Sequence, residues 1–192
     1  SVLLNGLGGM RPAGLDQPVG LAVLTGTVGI ATAAASFAWT LSQLDATLNP
    51  ELYFEFLFWG GGHAVQFAWV QFMLAAWLFL AAANGVKLPL GNRLVSAIVL
   101  AGAAPLLAVP LIHFFHGVDS AESRLAFIRL MQWGGGIGPV PIGLVLLYAL
   151  FRADSANGDR KPARNALWMS LLLFAAGGLI AIGIRGVNTV IP

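Results

Sequence analysis

Long stretches without a charged residue constrain this chain more than any other feature. Five runs of about 20 residues or more contain no Asp, Glu, Lys or Arg: 17–44, 56–86, 94–118, 130–151 and 165–184. A helix of about 20 apolar residues is long enough to cross the ~30 Å hydrocarbon core of a bilayer. Only helices and closed barrels satisfy their backbone hydrogen bonds there, and runs of this length fit helices. We therefore predict an all-α fold, a polytopic transmembrane helix bundle of about five helices.

The composition agrees with a membrane protein and excludes several other classes. Hydrophobic residues make up 58% of the 192 residues and charged residues only 9%, against roughly 45–50% and about 25% in soluble domains. The chain has no cysteine, which excludes disulfide frameworks and thiolate chemistry. A net charge of +2, scattered along the chain, argues against nucleic acid as a partner and leaves membrane lipids.

Proline and turn residues mark the ends of the predicted helices. Asn49-Pro50 is interpreted as a stop signal after the first helix. Pro105 and Pro110 fall inside the third helix, where they could break it. We expect a single transmembrane helical domain over residues 1–192 that is part of a longer membrane subunit. The five predicted helices cover Pro18–Leu44, Leu52–Ala83, Asn92–His116, Ala121–Phe151 and Asn165–Val187.

Basic residues predict which way the chain crosses the membrane. Lys and Arg accumulate in cytoplasmic loops. Seven of the ten lie in the N-terminal segment and in the loops at 84–93 and 152–164. We therefore expect the N-terminus in the cytoplasm and the C-terminus on the outer side, in a bacterial inner membrane.

The three histidines fall in the outer half of the membrane under this topology. At a rise of 1.5 Å per residue, His63 lies ~17 Å along the second helix. His113 and His116 are three apart at the outer end of the third helix, so we expect both rings to project from one face. Two imidazoles from one helix and one from its neighbour would form a three-nitrogen metal site with an open position. Imidazole ligands suit copper, iron and zinc.

Small and polar residues around His63 extend this hypothesis. Gly60, Gly61 and Gly62 leave room for a neighbouring helix or a flat cofactor close to the backbone. Glycine inside a helix costs ~1 kcal/mol relative to alanine, so three in a row indicate close packing of some kind. Gln66 is three residues after His63, on nearly the same face, and is a candidate to hydrogen-bond a ligand or a water molecule.

Arg185 and the histidines also have simpler interpretations. Arg185, near the outer end of the fifth helix, would either snorkel to the surface or pair with an acidic group such as a haem propionate. Glycine runs are common where membrane helices pack closely, and a histidine often bonds a neighbouring helix. An ionisable residue inside a membrane is nevertheless costly and usually functional.

The order of these motifs resembles the catalytic subunit of the haem–copper oxidases, nearest its nitric oxide reductase and C-type oxidase branches. "FWGGGHAVQF" is similar to the family's helix that supplies one ligand of the non-haem metal. "PLIHFFHGVDS" stands where the next two histidines belong, although Phe114 and Phe115 separate a pair that is usually adjacent in the family. "RLMQWGGGIGPVPIGLVLLYAL" looks like the following helix, and "LWMSLLLFAAGGLIAIGIRGVNTVIP" looks like the one that leads into the family's haem-ligand helix.

This resemblance implies a respiratory oxidoreductase that reduces dioxygen or nitric oxide with electrons from a donor cytochrome. His63, His113 and His116 would hold copper or iron, and haem would be ligated mainly by segments outside this chain. The implied partners are the remaining helices or subunits of a respiratory complex. Two alternatives stay open: a membrane anchor or electron carrier in which two of the histidines ligate a b-type haem, and a non-redox helical membrane protein.

Overall fold

The computed structural model describes residues 16–152 and 161–184, and every regular element in these ranges is helical. The helices are α1 (Asp16–Gln43), α2 (Pro50–Ala83), α3 (Asn92–Ala103), α4 (Ala108–Phe115), α5 (Ala121–Gly134), α6 (Pro139–Arg152) and α7 (Lys161–Ile184). A short 3₁₀ helix, Ala104–Leu107, joins α3 to α4. The predicted all-α fold is confirmed.

Four helical spans of the described chain are long and apolar enough to cross a membrane. They are Gln17–Gln43, Pro50–Ala83, Asn92–Phe115 and Ala121–Arg152. α7 adds a shorter apolar stretch, Arg164–Ile180. The chain is an integral membrane protein, and the four spans together with α7 agree with the predicted bundle of about five helices. The predicted end of the fifth helix at Val187, and Arg185 within it, lie outside the described residues.

The long helix α2 starts at a signal that we had assigned to the end of the first helix. The side-chain oxygen of Asn49 accepts a hydrogen bond from the backbone N–H of Glu51 at 2.9 Å, and Pro50 lies in the first turn. Proline is favoured there because the first N–H groups of a helix have no acceptor within it. Our interpretation of Asn49-Pro50 as a stop signal was therefore wrong: α1 already ends at Gln43.

α2 lies at the centre of the bundle. It packs most extensively against α1 and also contacts α3, α5, α6 and α7. One cluster of its buried side chains, around Trp77, packs with Ile142 of α6 and Leu167 of α7. A second cluster, around Ala64, packs with Phe127 of α5. Since lipid tails are as apolar as these side chains, close packing and interhelical hydrogen bonds hold such helices together.

Proline breaks the third span in its middle. Pro105 has no N–H to donate, and the chain tightens into the 3₁₀ helix before α4 begins at Ala108. Pro110 lies in the first turn of α4, where a missing N–H costs little. The break that the sequence predicted in this helix is confirmed.

The fourth span is also interrupted, which our prediction of one helix over Ala121–Phe151 missed. Turns over residues 135–138 separate α5 from α6, which begins at Pro139. The segment "GGGIGPVP" carried both signals, since glycine favours leaving a helix and proline favours starting one. The two interrupted spans approach each other closely at Gly102 of α3 and Gly138. A Cβ atom on Gly102 would lie 2.9 Å from the Cα atom of Gly138.

Candidate functional site around His63 and His113

His113 of α4 is held in the bundle interior by α1. Only 9% of its surface is exposed, and its Nε2 atom is 2.6 Å from the Oγ atom of Ser36. Ser36 is 2% exposed, so this bond is shielded from solvent. The Nδ1 atom of His113 is buried and has no hydrogen-bond partner among the described residues. The protein therefore fixes one ring nitrogen and leaves the other unused.

In His63, on α2, one ring nitrogen is likewise hydrogen-bonded and the other is not, within the described residues. Its Nδ1 atom is 2.6 Å from the carbonyl oxygen of Trp59, one turn earlier. A carbonyl oxygen only accepts, so Nδ1 carries the proton, and Nε2 of the neutral ring holds a free lone pair. No residue in the described ranges hydrogen-bonds Nε2. Histidines that ligate metals commonly donate their second ring N–H to a backbone carbonyl in this way, which fixes the tautomer and the ring orientation.

Both histidine rings contact the same aromatic side chain, Phe127 of α5. The ring centroids are 5.7 Å apart for His63 and 5.5 Å apart for His113. Phe127 is 1% exposed and closes the space against which both imidazoles pack. Sequence reasoning missed this residue, because one phenylalanine in an apolar helix gives no distinguishing signal.

The third histidine does not follow the predicted geometry. α4 ends at Phe115, and His116 has an extended backbone with φ −130° and ψ 140°. The expectation that His113 and His116 project from one helical face needs helical backbone at both residues, and it is wrong. Residues 16–152 and 161–184 contain no group of three His, Asp or Glu side chains that could hold a metal ion. The described part of the chain therefore does not assemble the three-histidine set by itself.

Two of the three glycines before His63 bring neighbouring side chains close to α2. A Cβ atom on Gly60 would lie 2.9 Å from the Cε1 atom of His113, and one on Gly61 would lie 2.6 Å from the ring of Phe37. A Cβ atom on Gly62 would meet no side chain and no neighbouring helix of the described residues within 4 Å. Close packing thus explains Gly60 and Gly61, while open space beside the backbone remains at Gly62.

A buried glutamine links three helices near the centre of the bundle. Gln71 of α2 is fully buried. It accepts a hydrogen bond from Thr25 of α1 at 3.0 Å and donates one to the carbonyl of Val99 of α3 at 3.3 Å. Gln66, the glutamine that we predicted to bind a ligand, is exposed and forms no hydrogen bond within the described ranges. No signal in the sequence distinguishes Gln71 from Gln66, because the partners of Gln71 are distant along the chain.

An ion pair lies near the N-terminal end of α2, beside the histidine pair. Arg124 of α5 contacts Glu55 of α2 at 3.0 Å, with both side chains partly exposed. The guanidinium group also lies 5.2 Å from the ring of Trp59, and the Trp59 indole donates to the carbonyl of Arg124 at 3.4 Å. Exposed ion pairs contribute little stability. The contact matters because it positions Trp59, whose carbonyl orients His63.

A cavity of about 480 Å³ lies between α1 and α4, against the Ser36–His113 bond. Its remaining lining is mostly apolar, and its volume is in the range of small-molecule sites. Trp39 and Phe114 at its rim are exposed. The cavity therefore opens at the surface of the bundle, where lipid or further helices would lie.

Two curated relatives resemble this chain over most of its length. An uncharacterized protein of Rickettsia prowazekii is 23% identical over 209 residues, covering 93% of this chain and 41% of that protein. An uncharacterized protein of Aquifex aeolicus is 28% identical over 168 residues, covering 84% of this chain and 40% of that protein. The chain thus spans about two fifths of the length of these relatives. No family model and no solved structure matches it.

Proposed function

We propose that this chain forms part of a haem–copper oxidase-like membrane subunit that reduces dioxygen or nitric oxide with electrons from an external donor. The observation that carries the proposal is the hydrogen bonding of the two ring nitrogens of His63. Its Nδ1–H bonds the Trp59 carbonyl, which leaves Nε2 free to ligate. Histidines that ligate a metal commonly show this arrangement.

His113 supports the same function from a second helix. Ser36 holds one of its ring nitrogens, the other has no described partner, and Phe127 connects the ring to His63. In this proposal His63 and His113 contribute ligands from α2 and α4, to copper or iron. A bound metal would supply Lewis-acid and redox chemistry toward the diatomic substrate. Further ligands, including those of haem, would come from residues outside the described ranges, because no third ligand joins the pair within them.

Metal and haem analysis of the intact membrane protein tests the proposal. We expect His63→Ala to lower bound metal well below one equivalent and His113→Ala to do the same. His116→Ala serves as a control, because α4 ends before this residue. Optical spectra of the same samples report haem separately from the other metal. If the first two variants keep the metal and haem content of the parent protein, the redox function is wrong.

The same measurements separate the electron-carrier alternative. A protein that holds haem but no second metal, and loses haem in His63→Ala, would be a b-type haem carrier. The space beside Gly62 is the observation that favours this alternative, because a flat macrocycle needs room close to the backbone of α2.

A structural role for the histidines has its own support. The 2.6 Å contact between Ser36 and His113 is a buried interhelical hydrogen bond that needs no metal. If this bond is the only role of His113, the His113→Ala and Ser36→Ala variants should both lower the thermal stability, and neither should change metal or haem content.

A further inference from the structure

The loop after α2 holds a lysine at a defined position. Gly85 has φ 69°. Its N–H bonds the carbonyl of Ala82, and the N–H of Val86 bonds that of Ala81, both at 2.9 Å. These two bonds form a Schellman motif, whose left-handed residue is most often glycine. Val86 is 6% exposed and packs into the core, so Lys87 leaves the bundle from a fixed point.

A second cation reaches the same place from α6. Arg152 is the last residue of α6, and its guanidinium group lies 5.2 Å from the ring centroid of Tyr148, one turn earlier. Lys87, Arg152 and Tyr148 line one cavity of about 530 Å³, which also has apolar lining from Leu88 and Pro89. Two cations and a phenolic hydroxyl group thus offer hydrogen-bond donors into a single space.

Neither cation is neutralised within the described residues. The ion pair found there is Arg124–Glu55, at the other end of the bundle. Among the acidic residues of the described ranges, Asp16 belongs to the same end of the bundle as the cavity, because it is the first residue of α1. The other acidic residues of the described ranges lie toward the opposite end: Asp45, Glu51, Glu55, Asp119 and Glu122. Two cations that no described residue pairs favour an anionic ligand in this cavity.

We propose that this cavity binds the phosphate group of an anionic phospholipid headgroup. The cavity is lined by the end of the fourth span and by the loop that follows the second span, which places it at the membrane–water boundary. Lys87 and Arg152 supply the charge, and the Tyr148 hydroxyl supplies a further donor. Leu88 and Pro89 offer apolar contact to the glycerol backbone and the first methylene groups. Basic pockets between transmembrane helices recognise lipid phosphates through this combination.

Lipid retention by the intact membrane protein tests the proposal. The protein is reconstituted in nanodiscs with equal amounts of phosphatidylcholine and phosphatidylglycerol, and retained lipids are counted by native mass spectrometry. We expect the parent protein to retain more phosphatidylglycerol than phosphatidylcholine. Each cation that is removed should lower this enrichment about fivefold, and the double variant Lys87→Gln with Arg152→Gln removes both cations. The matched control is Arg93→Gln with Arg129→Gln, which removes two exposed charges that do not line the cavity. This control should keep the enrichment.

Three results would overturn the proposal. The first is no preference for phosphatidylglycerol in the parent protein, and the second is an equal loss in the control pair. The third is displacement of the lipid by millimolar inorganic phosphate, which would make the cavity a site for free phosphate instead. The variant Lys87→Arg with Arg152→Lys keeps both positive charges and should retain the lipid. It shows that a loss in the glutamine variant comes from the removed charge and not from misfolding.

Discussion

Gly60 of α2 lies directly against the imidazole ring of His113 on α4. A Cβ atom at this glycine would come within 2.9 Å of the Cε1 atom of His113 and within 2.9 Å of the Oγ atom of Ser36. The missing side chain therefore lets three helices meet at one buried hydrogen bond. Packing and candidate chemistry depend on the same glycine.

We expect Gly60→Ala to destabilise the protein and Gly62→Ala to leave it unchanged or slightly stabilised. The added methyl group at position 60 would push against His113 and Ser36, and overpacking of this kind costs about 1–3 kcal/mol. A methyl group at position 62 would meet no side chain and no neighbouring helix of the described residues within 4 Å, so the helix propensity of alanine is gained without a clash. Thermal unfolding in detergent measures the difference, and equal effects of the two variants would contradict the packing described here.

Gln71→Leu should lower stability, whereas Gln66→Leu should not. Leucine at position 71 keeps the side-chain volume but loses the bonds to Thr25 and Val99. Interhelical hydrogen bonds in membranes average about 0.6 kcal/mol each, so we expect a loss of roughly 1 kcal/mol. Gln66 is exposed on the same helix and serves as the matched control. A chemical-denaturation series of both variants checks the expectation, and equal stability of the two would show that the buried amide is dispensable.

The fold was largely predictable because the membrane leaves few choices to the backbone. Charge-free runs predicted the four spans and the shorter apolar helix α7, and the proline at position 105 marked the break in the third span. The interruption at residues 135–138 was missed because the charge-free run over 130–151 continues through it. Glycine and proline act there on the backbone, which a hydropathy pattern does not record.

The candidate site was predictable only in part. The predicted depth in the membrane puts His63 and His113 at a similar level, and both rings contact Phe127. The prediction for His116 rested on its three-residue spacing from His113. It failed because that spacing assumes a continuous helix, and α4 ends one residue before His116. Gln71 was missed because its role depends on Thr25 and on a backbone carbonyl of α3, which are distant in the sequence.

Single-cysteine labelling tests the predicted orientation. The chain has no native cysteine, so an introduced one reports its own position. We expect cysteines in the basic loop at 152–164 to be shielded from impermeant reagents outside the cell, and cysteines near Ser120 to be labelled. Positive charge is retained on the cytoplasmic side during insertion, which is the reason for this expectation. The opposite labelling pattern would reverse the orientation and leave the fold unchanged.

The crossing of the two interrupted spans gives the last prediction. A Cβ atom on Gly102 would lie 2.9 Å from the Cα atom of Gly138, and one on Gly138 would lie 3.1 Å from Leu74 and 3.2 Å from Gly102. Backbone atoms cannot rotate away as side chains do, so Gly102→Ala should be the most destabilising, with a loss of about 1–3 kcal/mol. Gly138→Ala should cost less, and Gly136→Ala should cost least, because its nearest neighbour is Val140 at 3.5 Å, an ordinary contact.

The double variant Gly102→Ala with Gly138→Ala makes this prediction sharper. Both methyl groups would separate the same pair of backbones, so the second substitution should cost less once the first has moved the helices apart. Gly102→Ala with Gly136→Ala should instead be additive. Unfolding of all five variants under one condition decides the matter. Additivity at Gly102 and Gly138, or a rank order with Gly136→Ala the most destabilising, would mean that the two spans do not meet at this crossing.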